Sequence, residues 1–392
     1  MKDGKKKYLL TRFGGIGDSA PVMVVAKHLK KQGNHVTLAL REDDHGAKQI
    51  DLLENTDCFD EALTFKEVGP WKSRCVKFKH GVIEVRGIYD QFDEIIDFMN
   101  IVEHNDTCKS SFINKPEDEW KKHRNSNYQN WYDMHLAWAS IDPTSIPDEE
   151  KNPEYKLSET ELKEVKKIKK GYSKIIVINP HASSLARTWY QAEDMIPDLL
   201  KEYSNSAVYL WRPKQARYEV FDEEGVREYQ SPIKSSLRAS MCVVGASDVY
   251  IGADTGFTHI AEGLQRPHIA IYSSVPAWTR AKYYKYQTSI DKGPHSFSLT
   301  LGDPARVQEG LEGLSEREKK LSKLHQSGVS IQEAAKELNS TPEGVNLEMQ
   351  SLKTKIESFE RIQSKSISKV SKKEVLEHIR DILMKPTVKG EL

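Results

Sequence analysis

Short apolar runs alternate with longer amphipathic segments between residues 174 and 273, and this alternation narrows the possible folds. The runs KIIVINP, SAVYLW, VYIGA and HIAIYS have the length and composition of buried strands, and the segments between them have helical periodicity. Strands alternating with helices form parallel sheets, because each helix carries the chain back across the sheet. The opening of the chain repeats the pattern: a strand over Lys7 to Phe13, a helix with Asp18 or Ser19 near its N-cap and Gly33 near its C-cap, and the strand HVTLAL.

We therefore predict an α/β protein of two Rossmann-like domains that face a cleft, with a small all-helical module towards the C-terminus. A stretch rich in proline and acidic residues, from Ser140 to Glu161, separates the two α/β patterns and predicts a linker. The predicted boundaries are 1–150 for the first domain, 151–171 for the linker, 172–313 for the second domain, 314–364 for the helical module and 365–392 for a closing helix.

Composition narrows the class of protein. The 58 basic residues equal the 58 acidic residues, so a nucleic acid or membrane partner would need a local patch. The four cysteines include no C-x-x-C pair, and no histidine cluster has metal-ligand spacing, which predicts reduced thiols and no metal site. No segment approaches the roughly 18 apolar residues that a membrane span needs. We expect a cytoplasmic protein without a membrane span; the sequence leaves the oligomeric state open.

The first predicted strand ends in a glycine loop formed by Gly14, Gly15 and Gly17, which carries the carboxylate of Asp18. Residues 15–20 satisfy G-x-G-x-x-G/A, which keeps a nicotinamide-dependent oxidoreductase as an alternative. However, the carboxylate would repel a pyrophosphate, so that reading leaves Asp18 without a role. A carboxylate at such a bend suits a general base, or it caps the helix; the segment leaves both interpretations open.

The segment IGADTGFTHIAEGL places Asp254, Thr255 and Gly256 where a strand passes into a helix. Free backbone N–H groups and the positive end of the helix would receive a diphosphate there. The alternative is an ordinary helix cap, with His259 as a simple helix residue.

The segment INPHASSLARTW ends another strand with the hydroxyls of Ser183 and Ser184 and the cation of Arg187. These groups can neutralise phosphate charge without a metal. The chain contains no Asp-x-Asp, the pair that a metal-dependent sugar-nucleotide enzyme uses to hold its ion. His181 in the same segment is a ligand contact or a packed loop residue.

Together, GIGDSAP, HASSLARTW and IGADTGFTHIAEGLQRPHIAIYS resemble the ADP-heptose:lipopolysaccharide heptosyltransferase family, glycosyltransferase family 9, which has a two-Rossmann GT-B architecture. The resemblance covers roughly residues 6–40 and 175–285 and the closing helix. It implies an acceptor domain followed by a nucleotide-sugar donor domain, with no cofactor beyond a UDP- or ADP-linked sugar as co-substrate. By this resemblance Asp18 is the catalytic base, and the donor contacts are Ser183, Ser184, Arg187, Asp254, Thr255, Gly256 and His259.

This sequence departs from the family at several positions. The family commonly has threonines and a lysine where this chain has Ser183, Ser184 and Arg187, a change that keeps the hydrogen bonding and the charge. The acid that holds the donor ribose has no clear counterpart, and Glu219 is the nearest candidate.

The predicted helical module resembles the helix-turn-helix of response regulators and sigma factors, with Gly328 in a turn, the helix IQEAAKEL and a recognition-like helix from about Thr341 to Lys355. Its candidate DNA contacts are Asn346, Gln350, Lys353 and Lys355. Glu343 and Glu348 on the same helix would face phosphates unfavourably, so protein docking or plain packing stays open.

These features predict an inverting, metal-independent glycosyltransferase that uses a nucleotide-sugar donor. The helical module favours DNA as its partner, with a hydroxymethylated pyrimidine as acceptor, because unmodified bases offer no hydroxyl and a paired base must leave the duplex to react. One alternative acceptor is lipopolysaccharide or another cell-envelope glycan. The other alternative function is a non-catalytic DNA-binding protein that senses sugar nucleotides.

Overall fold

A computed structural model describes residues 5–12, 15–41, 50–53, 55–65, 75–78, 81–84, 91–98, 130–182, 187–212, 217–273, 277–292, 317–318, 320–321, 324, 329–350, 352 and 367–384. The predictions for Gly14, Ser183, Ser184, Lys353 and Lys355 lie outside these residues, as does the predicted turn at Gly328.

The first half of the chain forms a parallel sheet of four strands in the order β3-β2-β1-β6. Its elements are β1 (Lys7–Arg12), α1 (Ile16–Lys31), β2 (His35–Arg41), β3 (Glu61–Phe65), the antiparallel pair β4 (Cys75–Phe78) and β5 (Gly81–Glu84), β6 (Glu94–Asp97) and α2 (Trp131–Trp138). The apolar side chains of β1, β2 and α1 are buried, which confirms the predicted strand-helix-strand unit.

Helix α1 begins earlier than the sequence predicts. Its N-cap is Gly15, and Asp18, predicted near the N-cap, lies at the third helical position, from which its carboxylate accepts a hydrogen bond from the Gly15 N–H. Pro21 is the sixth residue of α1, and because it has no N–H it cannot make the hydrogen bond that this position would otherwise donate to the carbonyl of Gly17. Gly33 follows the helix with φ of +83°, a left-handed conformation that glycine adopts without a steric penalty.

The second half forms a sheet of seven strands in the order β10-β9-β8-β7-β11-β12-β13. Its elements are α3 (Glu159–Lys169), β7 (Lys174–Asn179), α4 (Ile196–Glu202), β8 (Ser206–Arg212), β9 (Arg217–Asp222), β10 (Gly225–Glu228), α5 (Ser236–Ala246), β11 (Val249–Ala253), α6 (Gly256–Gly263), β12 (His268–Tyr272), α7 (Ala277–Ala281) and β13 (Gln287–Asp291). The predicted strands and helices are confirmed. The predicted strands β7, β8, β11 and β12 pair in parallel, and β9 and β10, which were not predicted, add an antiparallel edge.

Successive residues of β7 pack into different cores. Ile175 and Val177 join a cluster of buried side chains that includes Leu10 and Leu38 of the first sheet. Ile176 and Ile178 face the opposite side, where they pack with Val375 of α9 (Lys372–Met384). The alternation follows from the two-residue period of a strand, and it joins both halves through one continuous apolar core.

The segment predicted as a linker is folded in this structure. Residues Glu159–Lys169 form α3, whose first turn is closed by a capping box between Ser158 and Glu161. Lys151 is 4% exposed and lies 3.2 Å from the carboxylate of Asp133. The Tyr283 hydroxyl donates to the same carboxylate at 2.6 Å, so this cluster joins the two halves.

The helical module has a small core of its own, built from Leu321, Ala334, Leu338, Val345 and Leu352. Helix α8 (Ile331–Glu337) and helical residues 342–350 are separated by a turn in which Asn339 has φ of +52°. The chain then returns to the second half through α9, where Arg380 forms an ion pair with Glu202. The module is therefore placed between two parts of the second half, as an insertion would be.

Candidate active site

The N-terminal ends of α1 and α6 meet between the two halves. A Cβ built on Gly17 would lie 3.7 Å from Cα of Gly256, and one built on Gly256 would lie 3.2 Å from the backbone nitrogen of Gly17. Each helix end follows the carboxyl end of a parallel strand, β1 or β11, the edge at which α/β folds bind their ligands. Two positive helix ends therefore face one cleft.

Asp18 is held in a fixed orientation at this position. One of its carboxylate oxygens, Oδ2, accepts a hydrogen bond from the backbone N–H of Gly15 at 2.5 Å. The other, Oδ1, lies 3.1 Å from Nη2 of Arg12, whose side chain is 1% exposed and also donates to the Phe98 carbonyl at 3.0 Å. The side chain of Asp18 is 18% exposed. Asp18 thus caps the helix, which is one of the two roles that the sequence left open. Its other role, as general base, stays a prediction.

Asp254 and Arg187 lie together on the second half. Nη1 of Arg187 is 3.7 Å from Oδ2 of Asp254, a residue that is 3% exposed. That oxygen is buried and has no hydrogen-bond partner within the described residues. Thr255 is the N-cap of α6, and its hydroxyl accepts from the N–H of Phe257. The arrangement combines a guanidinium with a helix N-terminus, which suits an anionic ligand.

Arg280 on α7 belongs to the same cluster, although no sequence motif singled it out. It interacts electrostatically with Asp254, Asp18 and Arg187. Its guanidinium carbon lies 3.0 Å from the centre of the Trp131 ring. Burial lowers the pKa of Arg280, and the two carboxylates oppose that effect. The sequence offered only a basic residue within an aromatic stretch, AWTRAKYY, as a signal.

His259 lies in the interface between the halves and not on an open surface. A Cβ on Gly17 would lie 2.8 Å from Nε2 of the His259 ring. Its Nδ1 is hydrogen-bonded to the Tyr284 hydroxyl, which lies 2.6 Å from the Tyr132 hydroxyl of the first half. Burial lowers the pKa of His259 to about 4, so the ring is neutral at pH 7. Its role in donor binding stays a prediction.

The other named residues lie elsewhere. Glu219 forms an ion pair with Arg212, whose Nε lies 2.8 Å from Oε2 of Glu219. His181 is half-buried, and burial lowers its pKa. Asn346 and Gln350 are exposed on the module.

In the described part of the chain, no group of three or more histidine, cysteine, aspartate or glutamate residues could hold a metal ion. No helix there has both the length and the apolar character to span a bilayer.

Comparison with known proteins gives a family match for part of the chain. Residues 119–292 match the family model described as glycosyltransferase family 9 (heptosyltransferase). The solved structure of the glycosyl transferase family 9 protein from Veillonella parvula DSM 2008 aligns with a TM-score of 0.50 at 12% identity, over 81% of this chain and 92% of that chain. The ADP-heptose lps heptosyltransferase II of E. coli aligns with a TM-score of 0.48 at 15% identity, over 79% of this chain and 98% of that chain. No curated protein sequence matches the chain.

The structural likeness shows a shared fold, and the family model identifies the domain. This combination confirms the predicted resemblance and the α/β architecture. The chain is a glycosyltransferase with a GT-B-type fold, and its residues 119–292 match glycosyltransferase family 9 (heptosyltransferase).

Proposed function

We propose that this glycosyltransferase moves a sugar, with inversion and without a metal ion, from a nucleotide-diphosphate sugar to a hydroxyl group of lipopolysaccharide or another cell-envelope glycan. The observation that carries the proposal is the convergence of Asp18 from the first half with Arg187, Asp254 and the N-terminus of α6 from the second half. A base and an anion site on opposite sides of one cleft are what such a transfer requires.

In the proposed reaction, Asp18 takes the proton of the acceptor hydroxyl while the hydroxyl oxygen attacks the anomeric carbon of the donor. The bond between that carbon and the phosphate oxygen breaks, and its electron pair stays on the phosphate. Attack from the face opposite the leaving group inverts the configuration. Arg12 keeps the Asp18 carboxylate oriented for this step, because it holds Oδ1 from a buried position.

The donor diphosphate would bind at Arg187 and the amides of Thr255 and Gly256, with the hydroxyls of Ser183 and Ser184 as further contacts. The guanidinium and the helix end supply positive charge where the leaving group gains negative charge. The absence of an Asp-x-Asp motif from the sequence supports a reaction without a divalent ion. The donor is expected to be UDP- or ADP-linked.

The family match favours a glycan acceptor over DNA, because family 9 is described as heptosyltransferase. None of the comparisons supports a DNA acceptor. One structural observation keeps DNA as the second candidate: Asn346 and Gln350 are both exposed, four positions apart on helical residues 342–350. The exposed carboxylate of Glu343 on the same helix opposes contact with phosphates.

The test is to incubate the purified chain with a panel of ADP- and UDP-sugars, first with lipopolysaccharide core acceptors and then with hydroxymethylated DNA. We expect sugar transfer to a glycan, and we expect Asp18→Asn to abolish transfer while nucleotide-sugar binding is retained. Transfer to DNA but not to a glycan would show that DNA is the acceptor and that the proposed glycan acceptor is wrong. No transfer by the wild type with any donor, combined with donor and DNA binding, would support a non-catalytic sensor.

A further inference from the structure

Arg280 is a partly buried cation that has no role in the reaction proposed above. Its Nε is buried and has no hydrogen-bond partner among the residues that the structure describes. Trp131 covers one face of the guanidinium at 3.0 Å, which leaves the Nε donor in the guanidinium plane for another group. A buried donor without an acceptor is energetically unfavourable, and an anionic ligand that accepts from it would remove this cost.

The charges around Arg280 indicate where such an anion would bind. Arg280 interacts favourably with Asp254 and Asp18 and is repelled by Arg187. Two guanidinium groups that repel each other in a partly buried cleft are expected where an anion lies between them. Since Arg187 also lies 3.7 Å from Asp254, the two arginines approach the same carboxylate and share one region of the cleft.

Residues of the first half hold Arg280 in position. The Asn130 amide donates to the carbonyl of Trp278 at 2.9 Å and to that of Thr279 at 3.2 Å, which fixes the backbone just before Arg280. Trp131, the next residue after Asn130, supplies the stacking ring. The orientation of Arg280 therefore depends on contact between the halves, which the reaction also needs.

We propose that Arg280 is a second catalytic arginine, which donates to the diphosphate oxygens of the nucleotide-sugar donor and neutralises the charge that develops on them; this inference rests on the proposed function. As the bond between the anomeric carbon and the phosphate oxygen breaks, the electron pair stays on that oxygen. The acceptor proton goes to Asp18. Arg280 gives up no proton and makes its strongest contacts as the leaving group departs.

The experiment compares Arg280→Met, Arg280→Lys and a matched control, Arg266→Met. Methionine keeps much of the side-chain length but removes the charge and the donors. Arg266 also has a buried Nε without a partner in the described part of the chain, but it follows the opposite end of α6 and interacts with Asp248. Transfer kinetics and thermal unfolding are measured for all three variants and the wild type.

We expect Arg280→Met to lower kcat by about 100-fold or more, as for the removal of a donor that stabilises developing negative charge, with a smaller change in donor KM. Arg280→Lys should recover part of kcat, and Arg266→Met should lower Tm without lowering kcat. If Arg280→Met keeps kcat within about threefold of the wild type, or if its loss only equals that of Arg266→Met, the inference is wrong. If the wild type transfers no sugar at all, the proposed function is overturned, and the inference with it.

Discussion

Gly17 at the start of α1 lies directly against Gly256 at the start of α6, so that a Cβ on Gly17 would lie only 3.7 Å from Cα of Gly256. The two helices follow strands of different sheets, and the two residues are 239 positions apart in the chain. Their contact brings the base of one half and the anion site of the other to the same place.

Gly256→Ala tests this contact. A Cβ at this position would lie 2.6 Å from Cβ of Ile16 and 3.2 Å from the backbone nitrogen of Gly17, so the halves must separate to admit it. We expect a stability loss of about 1–3 kcal/mol, as for other overpacked sites, and at least a tenfold loss of kcat. Transfer assays and urea unfolding measure the two effects.

Gly245→Ala is the control for that substitution. Its Cβ would be crowded at 2.9 Å by Cδ1 of Leu157, the end of a side chain that can rotate away. We expect a comparable or smaller loss of stability and an unchanged kcat. Equal loss of kcat in both variants would mean that general destabilisation, and not the contact between helix ends, lowers the activity.

Arg12→Met removes the cation that orients Asp18. Arg12 is almost fully buried and holds both the Asp18 carboxylate and the Phe98 carbonyl. Because Asp18 is partly exposed, we expect a stability loss of about 2–3 kcal/mol, below the range for a fully buried pair. We also expect kcat to fall about tenfold or more from misorientation of the carboxylate. Normal kcat in a destabilised variant would contradict the orienting role.

Buried histidines predict loss of stability in mild acid. Burial lowers the pKa of His259 and His268 to about 4 and that of His135 to about 3. Their stabilising contribution is present above pH 6.5, where the unfolded residue is neutral, and is lost as the pH falls through the folded pKa. For His268 this amounts to about 3 kcal/mol between pH 6.5 and 4. Urea unfolding at several pH values should show that the free energy of unfolding changes less with pH in His268→Gln than in the wild type. An equal pH dependence in the two proteins would contradict this assignment.

The carboxyl group of Glu262 should make the free energy of unfolding depend on pH in the opposite direction. It is 3% exposed and accepts from the N–H groups of Lys285 and Tyr286, but burial raises its pKa to about 7. A raised pKa contributes stability that is complete below pH 4.5 and is lost as the pH rises through 7. Relative to the wild type, Glu262→Gln should therefore gain up to about 3 kcal/mol between pH 4.5 and 8. A stability difference that does not change with pH would show that the carboxyl does not titrate in this range.

Val345→Asp separates the helical module from the catalytic halves. Val345 is 1% exposed in the core of the module, where an unpaired carboxylate is costly. We expect the module to unfold at a lower temperature while transfer to a glycan acceptor continues. Loss of glycan transfer together with the fold of the module would show that the module is needed for the reaction. Loss of DNA binding and DNA modification alone would show that DNA, and not a glycan, is the acceptor.

The sequence alone predicted the strands β1, β2, β7, β8, β11 and β12, the helices between them, and the polar bends that follow them. The continuous apolar run of KIIVIN and the apolar face of α6 are local properties, so they could be recognised from the sequence without knowledge of packing partners. The antiparallel edge at β9 and β10 could not be recognised in this way, because the direction in which strands pair depends on contacts between them. The N-cap at Gly15 was also missed, because a carboxylate at the third helical position can cap the helix as effectively as one at its start.

The tertiary structure decided which of these bends meet. Asp18 and Asp254 were recognised in the sequence, but the burial of Arg12 and the approach of Arg280 to both carboxylates depend on how the two sheets pack. Trp131 and Asn130, which hold Arg280 and its helix, belong to the opposite half of the chain. Local periodicity reports which face of an element is apolar, whereas the packing of distant elements determines which charges share a cleft.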